Sequence, residues 1–90
     1  MDELKQLRSQ IDNIDSQIIT LLAARMDVSR NVGKLKKGSK LAPLDTLRWQ
    51  KVLSTRIKQA EKAGLDPAII QEIWEIIHKY SLKIQEHEIS

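Results

Sequence analysis

The sequence predicts an all-α chain of three helices, one long and two of medium length. Apolar residues recur at alternating spacings of three and four from Leu4 to Leu35, with no proline among them. Turn signals cluster between Gly38 and Leu44 and again at Gly64–Pro67. No segment between them alternates with period two, so no sheet is expected.

The first helix is expected from about Asp2 to about Lys37. Its stripe reads Leu4, Leu7, Ile11, Ile14, Ile18 and Leu21, then Arg25, Val28, Val32 and Leu35. Such a row packs against a partner helix. Arg25 breaks it: a guanidinium stays charged and is costly to bury unpaired, so this position needs an anion from an acidic side chain or a carboxylate ligand. Gly33 is the weak interior point and Gly38 the expected stop. At 1.5 Å per residue the helix is roughly 50 Å long, whereas a compact domain of this size is roughly 30 Å across. A second copy covering the exposed stripe resolves the mismatch, so a homodimer is expected.

Residues 38–44 read as a helix–helix loop. The second helix is expected from Asp45 to Ala63, with Leu53, Ile57 and Ala60 on its apolar face. Gly64 suits the left-handed position after it, Leu65 folds back on the last turn, and Asp66 and Pro67 cap and open the third helix. That helix is expected to reach about Glu86, with Ile70, Ile73, Ile77, Tyr80 and Ile84 as its stripe.

Ninety residues make one small domain, 1–90, for which association is a common aid to stability. The absence of cysteine rules out disulfides and thiolate metal sites, and His78 and His87 are not at metal-ligand spacing. No apolar run reaches the roughly 20 residues of a membrane span, and no signal-like segment opens the chain, so a soluble cytoplasmic protein is expected. The net charge is +3, and between Asp27 and Asp45 the charged residues are all basic: Arg30, Lys34, Lys36, Lys37 and Lys40. A phosphate backbone is one partner for such a run, but a solvated face or a helix end complementing the macrodipole explains it more simply. The run has no aromatic residue for base stacking.

Several polar residues lie within or beside the stripes: Arg8, Arg25, Lys36, the pair Asp45 and Arg48, and the i,i+4 pair Ser81 and Gln85. Taken singly, most have plain explanations as surface residues or caps, Asp45 above all as an N-cap. Together with the segments LLAARMDVSRNVGKLKK, DTLR, AGLDP and SLKIQ they resemble the all-helical chorismate mutases, from Leu4 to about Gln85. The first segment is the specific part of the likeness and AGLDP the least.

The resemblance implies an intertwined homodimer with shared sites, the rearrangement of chorismate to prephenate in aromatic amino-acid biosynthesis, and no cofactor or metal. It implies that Arg8 reaches the partner's substrate, that Arg25 holds a carboxylate, and that Lys36 and Gln85 face the ether oxygen. Asp45 and Arg48 would lie near the ring hydroxyl and Ser81 near the carboxylate. One position departs: the family's glutamate after that arginine is Trp49 here, which cannot accept a hydrogen bond from the hydroxyl. Trp49 has a second reading as simple packing.

The chemistry suits these residues, because a pericyclic rearrangement needs no acid, base or nucleophile. It needs a folded substrate held by its carboxylates and donors at the oxygen where charge develops. Three other readings share parts of the pattern: an isochorismate pyruvate lyase on the same fold, a mutase domain from a fused shikimate-pathway enzyme, and a basic helical nucleic-acid binder. The last leaves the polar flank of the third helix unexplained.

Overall fold

The computed structural model describes residues 1–89. They form α1 (Asp2–Ser39), α2 (Thr46–Lys62) and α3 (Pro67–Ile89), with no strand among the described residues. The chain measures 57 × 24 × 15 Å, and its longest dimension is that of α1 alone, about 57 Å at 1.5 Å per residue. The radius of gyration, 16.5 Å, is well above the ~12 Å of a compact chain of this length.

Helix boundaries follow local chemistry. Gly38 does not stop α1; the helix runs one residue further, and Lys40 takes the left-handed conformation at φ 58°. The amides of Lys40 and Leu41 both return to the Lys36 carbonyl, which satisfies the end of the helix without glycine. Asp45 caps α2 by accepting from the Arg48 amide at 3.0 Å. The end of α2 is a Schellman turn: Gly64 sits at φ 75°, its amide bonds to Glu61 O and the Leu65 amide to Ala60 O. Asp66 then accepts from the Ala68 amide at 3.0 Å and Pro67 opens α3, as expected. This third helix continues to Ile89, past the expected end at Glu86.

Packing differs from the stripe reading. Both α1 and α2 pack on α3, and among the described residues they do not pack on one another. Ser29 meets Ser81 and Gly33 meets Gln85, so α1 and α3 run parallel, with α2 antiparallel between their ends. The row of α1 that faces α3 is Leu22, Met26, Ser29, Gly33 and Lys36, of which Ser29 and Gly33 are buried. A Cβ added at Gly33 would lie 2.9 Å from Gln85 Cα, so this glycine, which reads in the sequence as a weak point, is what lets the two helices touch. The apolar stripe faces outward: Leu7, Ile11, Ile14, Ile18 and Leu21 are each at least 50% exposed. Residues 1–20 are exposed throughout. On α3, Ile77 is buried but Ile73 and Tyr80 are exposed, and Ser81 and Gln85 are buried rather than flanking. On α2, Ala60 is buried as expected, whereas Leu53 and Ile57 are half-buried and Val52 is the second buried residue.

Candidate active site

A cleft of about 380 Å³ lies between α1 and α2, with α3 as its floor. Six of the seven residues singled out in the sequence line it: Arg25 and Lys36 from α1, Asp45 and Arg48 from the start of α2, and Ser81 and Gln85 from α3. Arg8 does not. It is exposed on α1, about 25 Å along the axis from Arg25 at the helical rise.

The Lys36 end is closely organised. Its ammonium donates to Gln85 Oε1 at 2.9 Å and also to the Pro43 carbonyl. Because the Gln85 oxygen is taken, its amide N–H groups are the donors left for anything in the cleft. This inward turn also removes Lys36 from any common basic face. Arg30 in turn pairs with Asp27 one turn back, at 2.5 Å. The buried hydroxyls of Ser29 and Ser81 share a hydrogen bond of 2.6 Å and tie α1 to the floor.

Cations gather around Arg25. It is half-buried, and burial, then the charge of Arg56, then that of Arg48 push its guanidinium down from the usual arginine range. No acid among the described residues forms an ion pair with any of the three. Asp45 is the one acid on the cleft lining, and its Oδ1 is engaged in the α2 cap. Among the described residues, then, no side chain supplies the anion that Arg25 calls for.

Arg56 and His78 are lining residues that sequence reading passes over, since a lone charged residue on a helix normally reads as solvated. Trp49 turns out to pack: its indole stacks face to face on His78, with ring centroids 3.9 Å apart and planes within 8°. Burial first, and then the charge of Arg25, hold the His78 imidazole below its ordinary range. The pair forms an aromatic wall on the α2–α3 side of the cleft.

The cleft is narrow, helical and rich in hydrogen-bond donors and guanidinium groups. The chain belongs to the chorismate mutase type II family, whose description matches residues 7–86. It is 37% identical over 73 residues to a T-protein of Haemophilus influenzae, covering 81% of this chain and 19% of that one. It is 30% identical over 80 residues to a bifunctional chorismate mutase/prephenate dehydratase of Aquifex aeolicus, covering 89% and 21%. An isochorismate pyruvate lyase of Pseudomonas aeruginosa is 32% identical over 78 residues, covering 86% and 76%. The chain thus spans about a fifth of the length of the first two relatives.

Proposed function

We propose that this domain rearranges chorismate to prephenate. The observation that carries the reading is the Lys36–Gln85 pair at one end of a cleft whose other end holds Arg25 without an acid partner. In the reaction one ether C–O bond breaks, one C–C bond forms, and no proton is transferred. The chain's task is to hold the enolpyruvyl arm over the ring and to stabilise charge on the departing oxygen. Arg25 takes a carboxylate, with Arg48 and Ser81 steadying the ring end. Lys36 supplies a cation and Gln85 an N–H at the oxygen, in a site prepared before the substrate arrives. Loss of chorismate's ultraviolet absorbance on mixing with purified protein tests the reading directly.

The working form in this reading is a homodimer. Its support is the outward apolar stripe of α1, far longer than a lone small chain can cover, and the buried indole N–H of Trp74, which has no acceptor among the described residues. Dimerisation would bring Arg8 of one copy toward the cleft of the other. A fused or associated enzyme of the same biosynthetic route fits the length of the relatives.

Isochorismate cleavage is the second reading. It is favoured by Trp49, stacked on His78 where the mutases carry an acid. Offering both substrates to the same preparation separates the two.

A further inference from the structure

We propose that Arg56 is a substrate-binding residue that joins Arg25 in gripping one carboxylate of the bound dianion; this rests on the proposed function. Arg56 stands at the far end of the α2 wall from Asp45, after Arg48, Trp49 and Val52 on the cleft-facing row, and lines the cleft. It shares that lining with Arg25, and its charge, like that of Arg48, bears on the Arg25 guanidinium.

Two guanidinium groups facing one hollow repel each other and give up hydration for nothing unless an anion lies between them. Arg56 is half-buried, and among the described residues its guanidinium donates from Nη1 to the hydroxyl of its neighbour Thr55, at 3.1 Å. The Thr55 hydroxyl itself donates to the Lys51 and Val52 carbonyls, at 2.9 and 3.0 Å, so this hook is anchored to the α2 backbone. It holds one corner of the guanidinium fork and leaves the other N–H groups free. A planar carboxylate has the shape and charge to take them, in the way paired arginines bind such groups. Asp45, the acid of this lining, is engaged at the opposite end of the wall. Arg56 therefore separates the cleft into a carboxylate end, with Arg25, and an ether-oxygen end, with Lys36 and Gln85.

Arg56 also borders a second hollow with Gln59, Ala60 and Trp74, so an acid of a second copy is another partner for it. The test compares wild type, Arg56→Gln and Arg56→Lys in steady-state turnover of chorismate, with light scattering on each. Arg56→Gln should raise KM about 10- to 100-fold, as loss of a charged hydrogen bond does, with kcat changing less and assembly unchanged. Arg56→Lys should recover part of that loss, keeping the charge without the fork. A KM within twofold of wild type, or a loss of assembly or folding with unchanged KM, overturns the proposal. If wild type does not turn over chorismate, the mutase reading falls, and Arg56 is then judged by calorimetric titration with malate. Malate binding that weakens tenfold in Arg56→Gln upholds the clamp; equal binding, or none to wild type, ends it.

Discussion

Lys36 Nζ and Gln85 Oε1 lie 2.9 Å apart, and that single bond sets what each can offer a ligand. It draws the ammonium over the floor helix and, by engaging the amide oxygen, leaves the N–H groups as what Gln85 can offer. Gln85→Glu would replace those donors with a carboxylate that can only accept. Turnover at neutral pH should fall about 100-fold, the usual scale for losing one such donor. It should rise again as the solution is acidified and the carboxyl gains a proton to donate. A kcat profile against pH checks this; a profile as flat as that of wild type would show that Gln85 does not face the reacting oxygen.

Arg25→Leu should abolish turnover while leaving the fold intact or more stable. The substitution completes an apolar row and removes a half-buried charge that the charges of Arg56 and Arg48 oppose. Thermal melting and the chorismate assay on one preparation decide the matter. An unfolded variant would mean that Arg25 serves a structural acid.

The histidine beside this cluster gives a pH signature. His78 ordinarily titrates at 6.5, and burial followed by the Arg25 charge hold it lower in the folded chain. Between the lowered value and 6.5 the unfolded chain binds more protons, so stability is full above this window and declines as pH falls through it. His78→Gln should flatten that part of the curve, measured as urea midpoints at successive pH values. Arg25→Leu should raise the His78 titration midpoint seen by NMR, and an unmoved midpoint would separate the two residues electrostatically.

Gly33→Ala probes the contact between α1 and α3. The added methyl would meet Gln85 Cα at 2.9 Å and Gln85 O at 3.1 Å, both backbone atoms that cannot swing aside. Overpacking of this kind costs about 1–3 kcal/mol, against a gain of about 0.5–1 kcal/mol in helix propensity. A net loss of stability is expected, with weaker turnover as Gln85 moves from Lys36. Denaturant unfolding checks the first and kcat the second; a stabilised variant would show that α3 simply slides.

Shared sites predict complementation. If Arg8 serves the opposite copy's cleft and Lys36 its own, Arg8→Ala and Lys36→Ala chains should each be inactive alone. Mixed heterodimers should recover one good site of two, because one site collects both defects and the other neither. The recovery should appear in kcat per dimer with KM unchanged. No rescue, with subunit exchange verified, would place both residues in one copy's site.

Much of this architecture is legible because its signals are local. Gly64, Asp66 and Pro67 fix the α2–α3 turn through backbone conformation and capping, which need only a few neighbouring residues. Arg25 stands out because a charge interrupts a periodic row. The choice of which row of α1 meets α3 is another matter. Ser29 and Gly33 make that contact by being small, and smallness carries no hydropathy signal. Reading by apolarity therefore selects the other row, Leu7 to Leu21, which this chain leaves outside. Arg56 and His78 pass unnoticed for a related reason: their meaning depends on Arg25 and Trp49, distant in sequence and met only through the fold.

The walls of the cleft stand apart, joined through the floor helix and by the reach of Lys36 to Pro43. Any molecule that touches Arg25 on one side and Arg48 on the other would act as a cross-brace, completing a span that the polypeptide leaves open. Occupancy should then stiffen the whole three-helix frame, and by mass action the melting temperature should climb with ligand concentration. Heat resistance thereby becomes a gauge of which small acids fit, legible even for compounds that the cleft holds but never transforms.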